Sequence, residues 1–152
     1  MNQKITKFIY WTITINLLIA FLMFSALINF DFRGTFKFIS DAFLNLIIGI
    51  LGLYFIGKIV GENLWRFKSK TKKFNIFHGI LAIFIVLILG TIIGSTVGFL
   101  QEGLPNQHYE YNLGEEVYDY FFKPLYWILL FGFLPTLISG IFLGNVLRKL
   151  SE

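Results

Sequence analysis

Four long apolar stretches, separated by short polar segments, set the pattern of this chain. They cover about residues 8–30, 42–60, 76–100 and 124–147. The third stretch, IFHGILAIFIVLILGTIIGSTVGFL, runs for 25 residues without an acidic residue, a lysine or an arginine. At about 1.5 Å per residue, a helix of that length crosses the roughly 30 Å of hydrocarbon in a bilayer. The pattern therefore predicts an all-α membrane protein, a bundle of four transmembrane helices.

The first stretch, residues 8–30, is expected to remain in the protein as a transmembrane helix. Its 23 uncharged residues exceed the roughly 7–15 apolar residues of a cleavable signal peptide, and no small-x-small cleavage site follows it. The next segment, DFRGTFKFISD at residues 31–41, mixes two acids, two bases and three phenylalanines. This composition predicts a loop that lies against the membrane interface.

The charged residues separate by sign between the two ends of the predicted helices. One face collects ten of the thirteen bases: Lys4, Lys7, Lys58, Arg66, Lys68, Lys70, Lys72, Lys73, Arg148 and Lys149. The opposite face receives seven of the nine acids, with Arg33, Lys37 and Lys123 as its bases. Because loops rich in lysine and arginine stay in the cytoplasm, we expect both termini and the basic loop 61–75 to be cytoplasmic, and the acidic loop 101–123 to face outward.

Composition supports a single membrane domain over residues 1–152. Hydrophobic residues make up 56% of the chain and charged residues 14%, against about 45–50% and 25% in soluble domains. The chain has no cysteine, which excludes disulfides, thiolate nucleophiles and cysteine-ligated metal centres. The net charge of +4 lies mostly between the apolar stretches, so it indicates topology in a bacterial-type inner membrane rather than nucleic-acid binding.

Small residues recur every four positions in the last two apolar stretches. The third stretch contains Gly90, Gly94 and Gly98, and the fourth contains Gly132, Thr136, Gly140 and Gly144. Such a repeat lets two helix backbones approach closely, as in the glycine zippers of membrane helices. We expect the two faces to pack against each other within one chain. The alternative is that one of them, the face of Gly90, forms an oligomer interface.

Polar residues are rare inside the predicted spans. The centres of all four lack ionisable residues, and Lys58 lies about one turn from a span end, where its ammonium group can reach the headgroups. Asn16 and Asn45 are expected to form hydrogen bonds between helices.

Pro135 leaves the Phe131 carbonyl without its helical donor and predicts a kink. We interpret this kink as a packing feature, with a hinge as the alternative.

The two charged loops are the candidate recognition surfaces. The basic residues of the cytoplasmic loop, Arg66, Lys68, Lys70, Lys72 and Lys73, suit anionic lipid or a soluble cytoplasmic partner. The outer loop offers His108, Glu110, Glu115, Glu116 and Asp119. Their spacing matches no metal-binding motif, so a solvated acidic loop is the simpler interpretation and no metal is expected.

The sequence contains no H-E-x-x-H, G-x-S-x-G, Walker A or G-x-G-x-x-G motif. We therefore expect no enzyme activity and no cofactor. The predicted function is that of a small membrane subunit, of the sensor, anchor, immunity or defence-associated type, which associates with itself or with another membrane protein. The alternatives are a homo-oligomeric channel or transport component and, less favoured, a lipid-modifying enzyme that uses the outer-loop carboxylates.

Overall fold

The computed structural model describes residues 2–71, 73–104 and 112–150, and their side chains except those of residues 2 and 68–71. Its elements are α1 (Asn2–Leu27), α2 (Phe32–Asp41), α3 (Phe43–Thr71), α4 (Ile76–Glu102), α5 (Leu113–Val117), a π-helical turn (Tyr118–Phe122) and α6 (Lys123–Lys149). Every regular element in these ranges is helical, which confirms the predicted all-α class.

Four helices are long and apolar enough to cross a membrane. They occupy Gln3–Leu27, Phe43–Phe67, Ile76–Glu102 and Leu113–Lys149, the last being α5, the π-helical turn and α6 in continuous succession. Helix α4 packs against α3 on one side and α6 on the other, and α1 contacts both α3 and α6 to complete the bundle. The chain thus has the fold expected of a small multi-pass membrane protein.

The two ends of the bundle differ in charge. The basic end comprises the start of α1, the end of α3, residues 73–75, the start of α4 and the end of α6. Its described cations are Lys4, Lys7, Lys58, Arg66, Lys73, Arg148 and Lys149. The acidic end comprises α2, the end of α4, α5 and the π-helical turn. Its described carboxylates are Asp31, Asp41, Glu102, Glu115, Glu116 and Asp119.

The hydrophobic core lies in the half of the bundle next to the basic end, called here the basic half. Its buried members are Ile5, Ile9, Ile13, Val60, Phe74, Ala82, Ile83, Val86, Leu143 and Leu147. In the other half, the acidic half, the buried positions of the described helices hold glycine, serine or threonine, such as Ser25, Thr35 and Gly98. Among the described residues, the buried large apolar side chains therefore lie in one half only.

Two helices differ from the sequence-based expectation. Helix α3 continues to Thr71, so much of the segment predicted as a basic loop is helical. Residues 32–41 form helix α2 instead of a loop. The Asp31 carboxylate caps α2 by accepting from the Arg33 N–H at 3.0 Å, and the Phe38 ring packs on Phe24 with ring centroids 4.7 Å apart. These contacts hold α2 against the end of α1.

Candidate functional site

The glycine face of α4 packs against α3. A Cβ atom built on Gly94 would lie 3.1 Å from Gly49 Cα, and Gly90 is in contact with Leu53. At Gly98 a Cβ atom would lie 3.2 Å from the ring of Tyr120. This face is therefore covered within the chain, by α3 and the π-helical turn rather than by α6, so we do not propose it as a subunit interface.

The glycines of α6 pack against the first turns of α4. A Cβ atom on Gly140 would lie 2.8 Å from Ile80 Cα, and Gly144 contacts the backbones of Ile76 and Gly79. Because backbone atoms cannot move aside as side chains do, a methyl group at these positions has no space. Gly132 is different, since its nearest neighbour, Leu87 Cδ2, would be 3.6 Å away.

Gly79 is a contact residue that the repeat of small residues does not predict. It lies in the first turns of α4, away from the repeat of Gly90, Gly94 and Gly98, and it meets Gly144 backbone to backbone. Helix α4 thus presents one small-residue surface to α6 near the basic end and another to α3 towards the acidic end. The isolated glycine early in a long apolar stretch was the available signal.

Hydrogen bonds between helices form a polar layer near the middle of the bundle. Asn16 Nδ2 donates to Ser139 Oγ at 2.8 Å, and the Ser139 hydroxyl donates to the Thr136 carbonyl at 3.1 Å. Beside them, Thr14 Oγ1 and Tyr54 OH lie 2.7 Å apart. These bonds join α1 to α6 and α1 to α3.

The two asparagines, Asn16 and Asn45, differ in the hydrogen bonds that their side chains form. The predicted interhelical hydrogen bond is confirmed for Asn16, whereas Asn45 forms none with the described residues. In both, Oδ1 is buried without a donor among the described residues. A buried carbonyl oxygen in that state costs about 1–3 kcal/mol unless water or another group donates to it. Among the described residues, these two are the buried polar side-chain atoms that lack a hydrogen-bond partner.

Pro135, the candidate hinge, lies half-buried within α6. The α-helix continues on both sides of it, from Lys123 to Lys149. The buried Thr136 and Ser139 follow within one turn, and Ser139 ties this part of the helix to α1 through Asn16. Pro135 thus lies beside the polar layer.

At the basic end, the end of α3 is held by an aromatic cluster. The Phe67 ring lies 6.3 Å from Phe74 and 4.9 Å from His78, measured between ring centroids. The Asn75 N–H donates to His78 Nδ1 at 3.1 Å, which fixes the ring at the start of α4. The sequence pattern does not reveal this cluster, because its members are separated by the polar segment between two helices.

The candidate basic residues are arranged around that cluster. Arg66 and Lys73 have exposed side chains. Lys68 and Lys70 are on the helical backbone of α3, but their side chains lie outside the described residues, as does Lys72 entirely. The described part of this set is therefore presented outward from the end of α3 and the segment that follows it.

At the acidic end, carboxylates engage near neighbours. Asn112 Nδ2 donates to Glu115 Oε1 at 3.0 Å, and Asp119 forms an ion pair with Lys123 at 2.7 Å. Glu116 is partly exposed. His108 and Glu110 lie outside the described residues. Among the residues that are described, no group of three or more His, Cys, Asp or Glu side chains is placed to hold a metal ion.

Tyr120 connects the π-helical turn to the end of α4. Its hydroxyl donates to Glu102 Oε2 at 3.2 Å, and its ring meets Phe99 edge to face at a centroid distance of 6.1 Å. The contact fixes α5 and the turn against the bundle.

Comparison of the chain with protein-family models, curated proteins and solved structures finds no match.

Proposed function

We propose that this protein is a non-enzymatic subunit of a bacterial-type inner membrane, with both termini in the cytoplasm, that acts by binding another copy of itself or another membrane protein. The distribution of bases supports this orientation, because ten of the thirteen belong to the basic end. The sensor, anchor, immunity and defence-associated classes of membrane protein all work through contacts of this kind.

The observation that carries the proposal is the length of α3. Its 29 residues correspond to about 44 Å of helix, whereas the hydrocarbon of a bilayer is about 30 Å thick. We place the excess at the basic end, because the bases of α3 lie there, and there Phe67 packs on Phe74 and His78. A helical backbone that continues beyond the membrane suits a partner with an acidic surface, since it carries Arg66, Lys68 and Lys70 on one helix end.

The packing of glycines supports a role in contacts rather than in chemistry. The closest backbone approaches, at Gly79, Gly140 and Gly144, leave no space between α4 and α6 in the basic half. The partner-binding surface we propose is therefore the projecting end of α3, and not a cleft within the bundle.

Site-specific cross-linking at this end tests the proposal. A photoreactive residue in place of Phe67, which is 39% exposed, is expected to cross-link the protein to a second copy or to a membrane partner in cells. The matched control is Phe142, which is 70% exposed on α6 within the span. Native mass spectrometry in nanodiscs measures self-association separately. A monomer that forms no specific cross-link from position 67 would overturn the proposal.

One observation favours the alternative of transport. Asn16 and Asn45 each bury an unpartnered Oδ1, and the acidic half contains no buried hydrophobic core in its described residues. Several copies of such a bundle could line a polar path through the membrane. Flux through liposomes tests this directly. The transport class requires flux that falls when Asn16 is replaced by leucine, whereas impermeable liposomes would remove it.

A further inference from the structure

A groove runs along the seam between α1 and α3 at the basic end. Its mouth has a volume of about 280 Å³ and is lined by Gln3, Thr6, Lys7, Tyr10, Lys58 and Glu62. A second depression of about 200 Å³ is lined by Lys7, Tyr10, Trp11 and Thr14, further along α1. Lys7 and Tyr10 line both, so the second depression adjoins the groove and continues it along the face of α1.

The floor of this groove is formed by close helix contacts. A Cβ atom on Gly61 would lie 2.6 Å from Thr6 Oγ1, so α1 and α3 touch directly beneath the mouth. Further along the same two helices, Thr14 and Tyr54 are hydrogen-bonded, and the rings of Tyr10 and Tyr54 meet edge to face at 5.2 Å. The close packing of α1 on α3 thus lies beneath the groove, and longer side chains such as Lys7, Lys58 and Glu62 line it.

Two lysines face this groove from different helices. Lys7 and Lys58 are both exposed, and neither forms an ion pair with a carboxylate of the described residues. Lys58 precedes Arg66 by eight residues, which places it about 12 Å deeper along α3 than the outer basic residues. Long lysine side chains at such a depth extend their ammonium groups to the headgroup level. With Glu62 as the one carboxylate of the lining, the groove has a net charge of +1.

We infer that this groove binds one anionic phospholipid. The monoanionic phosphodiester lies between Lys7 and Lys58, and an acyl chain follows Tyr10 and Trp11 towards Thr14. Tyrosine and tryptophan favour this boundary because their rings are amphipathic. The Glu62 carboxylate accepts hydrogen bonds from headgroup hydroxyls, as on a glycerol headgroup. The inference needs only a chain that crosses a membrane, and it does not depend on the proposed partner contact.

Lipid binding by the purified full chain tests the inference. The protein is titrated in detergent with phosphatidylglycerol, and bound lipid is counted by native mass spectrometry. The variant Lys7→Gln/Lys58→Gln is expected to bind this lipid roughly tenfold or more weakly, because each lysine near an anionic headgroup contributes about 1 kcal/mol. The control Lys4→Gln/Lys149→Gln removes the same charge from the same end outside the groove, and less than about a twofold change is expected.

Two further measurements separate a built site from general attraction. The variant Lys7→Arg/Lys58→Arg keeps both cations and is expected to retain binding. The wild type is expected to bind phosphatidylcholine more weakly than phosphatidylglycerol. Equal losses in the groove variant and its control, or equal binding of the two lipids, would overturn the inference. If the double variant loses its helical circular dichroism, Lys58→Gln alone supplies the test, with a loss of roughly fivefold expected.

Discussion

The basic half and the acidic half of this bundle are built from the same four long helices but are held together differently. In the basic half, Ile9 and Leu147 are fully buried, and the backbones of α4 and α6 touch at Gly79 and Gly144. In the acidic half, α3 and α4 meet where a glycine of one helix faces a glycine or an aliphatic side chain of the other, and the described residues there include no buried large apolar side chain. Since lipid is as apolar as a protein interior, hydrophobicity does not decide where helices pack. The fit between helix surfaces decides where helices pack. The basic half has the closer fit, so we expect it to contribute most to holding the bundle together.

The largest expected effect comes from adding one methyl group to the tightest contact. Gly144→Ala places a Cβ atom 2.6 Å from Ile76 Cα, which only a backbone shift can relieve. We expect a loss of about 3 kcal/mol in the free energy of unfolding, the upper part of the range for overpacking. Equilibrium unfolding in mixed micelles of increasing SDS content measures it.

Two matched glycines provide the controls. The Cβ of Gly49→Ala would lie 3.7 Å from Gly94 Cα, and that of Gly132→Ala 3.6 Å from Leu87 Cδ2, both ordinary contact distances. We expect changes below about 0.5 kcal/mol for each. If Gly49→Ala in the acidic half costs as much as Gly144→Ala, the two halves are equally tight and the comparison fails.

The second effect is the loss of packing around a buried leucine. Leu147 is fully buried and Leu134, on the same helix, is 65% exposed. Leu147→Ala is expected to lower the free energy of unfolding by about 2 kcal/mol, because a cavity remains. This is the low end of the usual range, because a leucine side chain in a membrane is in an apolar environment whether it faces protein or lipid. Leu134→Ala is expected to be neutral by the same SDS titration. A comparable loss at both positions would mean that the exposed face of α6 is also packed.

Much of the architecture could be predicted because its signals are direct. The length of each apolar run determines whether it can cross a bilayer, which is why four long helices were expected and found. The end of α3 could not be predicted from hydropathy, because lysine and arginine are good helix formers and a helix continues where the membrane ends. For α2, the spacing of Phe32, Phe36 and Ile39 is that of one helix face, a signal that the mixed charge of the segment obscured.

The partners of the small residues could not be predicted from the repeat alone. Glycines at intervals of four identify a face on which a backbone can approach, but not which neighbour approaches it. Helix α4 uses Gly94 towards α3 and Gly79 towards α6, a division that depends on how the helices are arranged around it. For the same reason the sequence indicated hydrogen bonding for Asn16 and Asn45 alike, although among the described residues only Asn16 forms a hydrogen bond with a side chain of another helix.

A smaller effect is expected in the polar layer between the two halves. Asn16→Ala removes the donor to Ser139 and the buried Oδ1 together. Interhelical hydrogen bonds in membranes average about 0.6 kcal/mol, so we expect a loss of about that size or less. A double-mutant cycle with Ser139→Ala isolates the interaction from other consequences of each substitution. A coupling free energy of zero would show that this bond does not join α1 to α6.

The smallest effect is expected at the acidic end, where Tyr120 contacts the end of α4. Tyr120→Phe removes the hydrogen bond to Glu102 and keeps the ring that packs on Phe99. The bond is exposed and 3.2 Å long, so we expect a loss below about 0.5 kcal/mol. Tyr120→Ala also removes the aromatic pair and is expected to cost more, by about 1 kcal/mol. If Tyr120→Phe instead destabilises the chain as strongly as Leu147→Ala, a single hydrogen bond stabilises the acidic half. The acidic half would then be as stable as the basic half although it has no buried large side chains among its described residues.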